Sequence, residues 1–372
     1  MKKNVRLCIG LTVTAVLVSS LIACGGGSAP AATTAAPAAA PAASAAAPAA
    51  APAASAAAEA PAAKTSLTEK VVIRVGNNMA DDNQWNVNMR KYAELVDEAT
   101  GGMVEVQLYP NAQLGDDQAM AEMVRSGNLD IQITSGAVPG RWYTPMAITE
   151  MPFLFEGFDH LEACLYGDVG DYMSAGLEEN NFHAFAYWLR ANRQILSTKP
   201  IETVDDLKNL KIRVPETEIW VNSMKALGTN PTPVAYSECF TALQQGVVAA
   251  VENPLASMYS QRFHEICHNL ALSNHVGSFS MAVMSPQTWA KLPEDVQKIM
   301  NECMDEITAS NNEITRVEDD GYIEKMKAEV DLTVTNPDYE TMKKMVVPVQ
   351  PEIAAAENAT ELYDMIKALA PQ

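Results

Sequence analysis

The chain has 372 residues and a formal net charge of −20. Residues 29–63 hold 24 Ala and 6 Pro, and the 309 residues after position 63 carry 23 Lys and Arg against 45 Asp and Glu, a net of −22. A surface of that sign repels phosphate backbones and anionic headgroups, which argues against nucleic acid as a partner. The 309 residues suffice for a large core and for about two domains.

The chain opens with Lys2, Lys3 and Arg6 ahead of an uncharged, mostly apolar run from Leu7 to Ala23. This pattern is a secretory address, so residues 1–23 are read as a signal peptide and set apart from the fold. The run closes on Leu21-Ile22-Ala23-Cys24 before three glycines, and resembles a bacterial lipobox. Cys24 is therefore expected to be lipidated, placing the mature protein outside the cytoplasm (periplasm or cell surface) and on a membrane. Residues 24–66 follow as a linker, in which Pro every few residues blocks a continuous helix and no bulky apolar side chain can seed a core. Of the later cysteines, Cys164, Cys239, Cys267 and Cys303, none lies in a C-x-x-C pair, and isolated buried thiols are expected.

Strand and helix patterns then alternate. Val71–Val75 is a β-branched run, and Gln84–Thr100 places Trp85, Met89, Tyr92, Leu95 and Val96 at helical spacing before Gly101-Gly102. Val104–Tyr109 predicts a strand, Asp116–Arg125 a helix and Leu129–Thr134 a strand. A second series begins near Ala184, with extended pieces at Leu210–Val214 and Pro233–Tyr236, a long polar helix over Glu294–Lys327 and a late strand at Leu332–Val334. The fold class is α/β, with two lobes and a ligand cleft between them; ligands in open α/β sheets sit beyond the strand C-termini.

Several short segments in order carry a specific resemblance. They are Gln113-Leu114-Gly115-Asp116-Asp117, Met151-Pro152-Phe153-Leu154-Phe155, Leu210-Lys211-Ile212-Arg213-Val214-Pro215, Ala242-Leu243-Gln244-Gln245-Gly246 and Glu252-Asn253-Pro254. Over roughly residues 70–340 the chain resembles the solute-binding proteins of TRAP transporters. That resemblance implies a hinged, two-lobed periplasmic-binding-protein-like fold. It also implies a receptor that takes up a small organic acid and delivers it to ion-coupled permease subunits in the membrane. The lobes are expected to comprise residues 67–190 with 279–318, and 191–278 with 319–372.

The resemblance also assigns ligand contacts. Arg213 takes the position whose guanidinium forks onto the ligand carboxylate, a planar match that Lys cannot supply. Arg193 takes the position of a second family Arg after an aromatic strand, and Arg190 is an extra cation nearby. Asn253 is expected on the far wall, with Tyr236, Trp220, Asn78, Asp117 and Glu216 at cleft-facing positions. Sialic-acid receptors of the family carry a Glu and an Arg where this chain has Ser135 and Val138, which argues against that ligand.

His264-Glu265-Ile266-Cys267-His268 is a literal H-E-x-x-H, the spacing with which one helical face presents two zinc ligands and a base. It supports an alternative reading as a zinc-dependent hydrolase. Against it, Ala271 replaces the Gly of the longer motif and His275 falls one residue late, although Glu294 stays open as a third ligand. No nucleophile triad, phosphate loop or dinucleotide fingerprint is visible, so neither an enzymatic activity, a cofactor nor a metal is expected. A ligand sensor for a membrane kinase is a further alternative on the same fold.

Overall fold

The computed structural model describes residues 65–317 and 319–371. The proposed signal peptide, Cys24 and nearly all of the Ala/Pro linker lie outside the described residues.

Among the described residues nine strands form one sheet: Val71–Gly76 (β1), Val104–Tyr109 (β2), Ile131–Ser135 (β3), His183–Ser197 (β4), Lys211–Val214 (β5), Asn230–Pro233 (β6), Ala250–Asn253 (β7), Asn269–Met284 (β8) and Thr333–Thr335 (β9). Their order is β2-β1-β3-β8-β4-β7-β5-β6, with β9 paired to β8. β1, β2 and β3 run parallel, as do β5, β6 and β7. The two parallel groups are joined by the antiparallel pair β4 and β8, of 15 and 16 residues. At about 3.3 Å per residue such strands run roughly 50 Å, long enough to serve both lobes. β8 pairs with β3 through residues 280–284, whereas β4 pairs with β7 through residues 194–197. Between these regions the β4–β8 register slips at Arg190–Arg193. A slip of this kind bends the strand and re-aims its side chains.

Side chains alternate across the long strands, and two cores result. Tyr187, Leu189, Met281 and Val283 enter one cluster; Trp188, Ala282 and Met284 enter the other. The helix Gln84–Thr100 closes the second face with Trp85, Met89, Tyr92 and Val96. Asn83 caps its start by accepting from the Trp85 N–H at 3.1 Å, and Gly101 ends it in the left-handed region at φ 67°. The expected helix over Glu294–Lys327 is in fact two, Glu294–Thr315 and Asp319–Glu329. The first is fastened to β4 beside the slip: Asn311 Nδ2 and Thr315 Oγ1 donate to the Leu189 carbonyl at 2.9 and 3.3 Å, and the Leu189 N–H donates to Asn312 Oδ1 at 3.0 Å.

The C-terminal helices reach back to the first half of the chain. Gln350 Nε2 donates to the Pro152 carbonyl at 2.7 Å, and His160 Nε2 lies 2.9 Å from the Ile366 carbonyl. The four later cysteines are unpaired; Cys164, Cys239 and Cys267 are buried and Cys303 is half-buried. Among the described residues no helix is long and apolar enough to cross a membrane.

Candidate functional site

A cavity opens where the C-terminal ends of β1, β3, β5, β6 and β7 converge on the middle of β4. Parallel strands end here in loops whose backbone and polar side chains have no further ladder to join, which is why α/β sheets place ligands at this edge. Eight of the nine side chains expected from the sequence line it: Asn78, Asp117, Arg190, Arg193, Arg213, Glu216, Tyr236 and Asn253. Trp220 does not. It lies 1% exposed behind Arg193, whose guanidinium carbon is 4.8 Å from its ring centroid. The helix Glu218–Ala226 turns Trp220 toward the core, so its contribution is to pack against Arg193.

The three cleft arginines are buried but differ in how they are held. Arg193 grips Glu252 from two nitrogens, Nε to Oε2 at 2.5 Å and Nη2 to Oε1 at 2.8 Å, and Nη2 also meets the Glu252 carbonyl at 3.1 Å. Both side chains are enclosed, and His275 Nε2 stands 3.5 Å from the same carboxylate. The charge of Arg193 holds the Glu252 carboxyl below its usual range although burial pushes the other way. Arg190 donates through Nη2 to Asn253 Oδ1 at 3.2 Å and Ser257 Oγ at 3.0 Å, and packs over Trp85 at 5.1 Å. Burial, reinforced by neighbouring Arg193, lowers Arg190 to about 10. Arg213 is tethered by its Nε alone, to the Val234 carbonyl at 2.9 Å, and lies over Tyr236 at 5.5 Å. Among the described residues its two terminal nitrogens have no acceptor within hydrogen-bond range, which leaves the fork open to the cavity.

Carboxyl groups stand among these cations without pairing to them. Asp117 begins the helix Asp117–Arg125 next to its cap, Asp116, which accepts from the Ala119 N–H at 2.8 Å. The Asp117 carboxylate accepts from Asn78 Nδ2, and Gln132 Nε2 donates to the Asp117 carbonyl at 2.9 Å. Burial pushes the carboxyl up to about 7, against the pull of Arg213 and Arg190 and with Asp116 adding repulsion. Glu150, at the end of the 3₁₀ segment Thr144–Glu150, is 3% exposed and also raised by burial, against the pull of Arg193 and Arg190. Neither acid makes an ion pair within 4.0 Å among the described residues. Three further polar atoms in the lining are buried without a partner among the described residues, Asn78 Oδ1, Thr134 Oγ1 and Thr217 Oγ1.

Glu150 and Thr134 were not legible as site residues; Glu150 precedes an apolar segment and only its burial in the cavity reveals it. Ser135 and Val138 do line the cavity, and the same loop adds an exposed cation, Arg141.

The His264-to-His268 motif has no such geometry. Phe263–Glu265 is a single 3₁₀ turn that ends before His268, so the helical face needed to converge two imidazoles is missing. His264 Nε2 lies 2.9 Å from Glu329 Oε2, while His268 Nε2 lies 3.3 Å from the Glu265 carbonyl. Among the described residues no group of three or more His, Cys, Asp or Glu is arranged to hold a metal ion. The hydrolase reading is thereby corrected: the spacing is literal, the local structure is not.

Residues 75–357 match the family described as bacterial extracellular solute-binding protein, family 7. The chain is 29% identical to the sialic acid-binding periplasmic protein SiaP of Vibrio cholerae, over 78% of this chain and 91% of that protein. A TRAP periplasmic solute-binding protein from Sulfitobacter sp., solved with bound alpha-D-taluronate, superposes with a TM-score of 0.75 at 31% identity, covering 80% of this chain and 97% of that one. Another, from Sulfurospirillum deleyianum with bound succinate, gives a TM-score of 0.76 at 28% identity, covering 81% and 99%.

Proposed function

The chain belongs to the bacterial extracellular solute-binding proteins of family 7, the receptors of TRAP transporters, and we propose that its cleft binds a small organic acid by the carboxylate and hands it to the membrane permease. The observation that carries the reading is Arg213. It is a buried guanidinium whose terminal nitrogens point at an open cavity, with a second arginine locked beside it by a carboxylate. A planar fork meets a carboxylate with two parallel N–H bonds, and a buried charge that lacks a partner calls for one. Arg193 and Asn253 would flank the ligand, the one fixed by Glu252 and the other by Arg190.

The lobes in this reading are residues 67–190 with 279–318 and residues 191–278 with 319–372. The register slip at Arg190–Arg193, with the helix Glu294–Thr315 fastened beside it, supports a hinge there. Closure about that hinge would exclude water from the ligand carboxylate and strengthen its bonds to the arginines. The receptor acts outside the cytoplasm, and Cys24, acylated, would hold it on a membrane with residues 24–66 as spacer. The lipobox pattern at Leu21–Cys24 supports the anchor. Binding rather than chemistry is the expected activity.

The test is a thermal-shift screen of the purified mature protein against mono- and dicarboxylates, sugar acids and aromatic acids. A ligand at 100 times its Kd adds about 2.7 kcal/mol of stability, a readily measured shift. A protein that no carboxylate stabilises, but that an uncharged solute does, refutes the reading.

A further inference from the structure

The relatives with bound ligands include both a sugar acid and a dicarboxylate, so the family alone does not choose between them. The side chains of this cleft do. Counting charge first, three buried guanidiniums face the cavity. Glu252 cancels Arg193 by its two-pronged bond, and Glu150 stands close enough to Arg193 and Arg190 for both to act on its carboxyl. With Glu150 ionised and Asp117 carrying its proton, one uncompensated positive charge is left. Arg141, Asp116 and Glu216 also line the cavity, but all three are exposed and screened by water. A single ligand carboxylate matches that count, and the free fork of Arg213 is where it fits.

Hydrogen-bond capacity gives the second half. Apart from the arginines, the unused buried atoms of the lining are one amide oxygen and two threonine hydroxyls, all three able to accept a hydrogen bond. Asn78 Oδ1, Thr134 Oγ1 and Thr217 Oγ1 have no partner among the described residues; the two hydroxyls can donate as well as accept, whereas Asn78 commits its amide to Asp117 and leaves only its oxygen free. The carboxyls of Asp117 and Glu150 add further lone pairs. Such a wall repels a second carboxylate and welcomes O–H donors. Resting on the carboxylate reading above, we propose that Asp117 and Glu150, with Asn78 and Thr134, form an acceptor wall that selects a hydroxylated monocarboxylate, of the sugar-acid class, over a dicarboxylate. An ammonium group in place of hydroxyls would restore an unmatched positive charge beside Arg190 and Arg193, and is disfavoured for that reason. Burial keeps Asp117 near its titration point at neutral pH, where Arg213, Arg190 and Asp116 are the charged groups acting on it. Discrimination against the dicarboxylate should therefore sharpen as pH rises through about 7.

Titration calorimetry on the purified mature protein tests this with D-erythronate, D-gluconate and D-galactonate against succinate, hexanoate and 6-aminohexanoate. The best of the three sugar acids is expected to bind at least about 100-fold tighter than each of the other acids, since a site built to hydrogen-bond hydroxyls rejects analogues that lack them by large factors. Asp117→Asn and Glu150→Gln should narrow the sugar-acid to succinate ratio at least about tenfold. Thr134→Val, which keeps the shape, should weaken the sugar acid alone and serves if either carboxyl variant fails to fold. Succinate, hexanoate or 6-aminohexanoate binding within tenfold of the best sugar acid overturns the proposal, as does an unchanged ratio in the folded variants. If succinate wins and its binding disappears in Arg213→Ala, the carboxylate receptor stands and only the acceptor wall falls. If no acid in the panel binds, both fall.

Discussion

Replacing Asp117 by Asn should make the ligand-free protein more stable at neutral and alkaline pH, and the size of the gain follows from the cleft. Burial holds the Asp117 carboxyl at about 7 in the folded protein against an ordinary 3.8. For an acid raised on folding the sign is fixed: between pH 4 and 7 the folded chain keeps a proton that the unfolded chain has lost, so stability falls as pH rises through that window. The loss is complete above about 7. Three decades of pKa at about 1.36 kcal/mol each give about 4 kcal/mol, and water reaching the cleft reduces this to about 2–4 kcal/mol. Asparagine has no proton to lose and keeps a polar partner for Asn78. The two proteins should therefore differ by no more than about 1 kcal/mol near pH 4.5, and the variant should lead by about 2–4 kcal/mol at pH 8. At roughly 2 °C per kcal/mol for a chain of this size, that is a Tm gain of about 4–8 °C. Differential scanning fluorimetry of both proteins from pH 4.5 to 8.5, without ligand, measures it. Parallel Tm profiles across that range would falsify the claim that burial of this carboxyl outweighs its hydrogen bonds and the nearby arginines.

Glu252→Gln leaves Arg193 buried without its counter-charge, and urea unfolding should show a loss of about 3–5 kcal/mol; a loss below about 1 kcal/mol would mean that the pair is not held as described. Cys24→Ser is expected to yield protein that fractionates with the soluble phase and binds ligand as before, because the anchor lies outside the folded lobes; a variant that still partitions into detergent rejects the lipid assignment. Elemental analysis should find well below one zinc per chain, and one equivalent lost together with peptidase activity in His268→Ala would restore the hydrolase reading.

The α/β alternation was legible because each early element carries its own period and punctuation: Trp85, Met89, Tyr92 and Val96 repeat as a helix and Gly101 stops it. The shared sheet was not. β4 contains Arg190, Asn192, Arg193 and Gln194 in sequence, which breaks the apolar alternation of a buried strand, and the structure explains the break by a register slip and a cavity at those residues. The extended piece expected at Pro233–Tyr236 lies at Asn230–Pro233 instead. β6 is an edge strand, where proline's missing N–H costs little, and Tyr236 already starts a 3₁₀ turn. The long helix after Glu294 stops at Thr315 and a second begins at Asp319, a break that no Gly or Pro announces. Site residues carried by ordered motifs reached the cavity, but Trp220 shows the limit of position alone: one helical turn decides whether an aromatic faces the cleft or the core. Glu150 shows the converse, since a lone acid becomes informative only once its burial is known.

The central claim is that a ligand carboxylate docks on Arg213, and titration calorimetry on wild type, Arg213→Lys and Arg213→Ala tests it most directly. Losing one partner of a buried charged pair costs about 2–5 kcal/mol, which at about 1.4 kcal/mol per tenfold is roughly 30-fold to several thousandfold in Kd. Lys retains the charge without the two parallel donors and is expected to recover only part of that loss. Ligand-free melting temperatures should change little, because Arg213 has one backbone tether and faces an open cavity. An Arg213→Ala protein that folds as wild type and binds the same acid within about threefold contradicts the account, because that lies far below the loss expected for a buried charged pair.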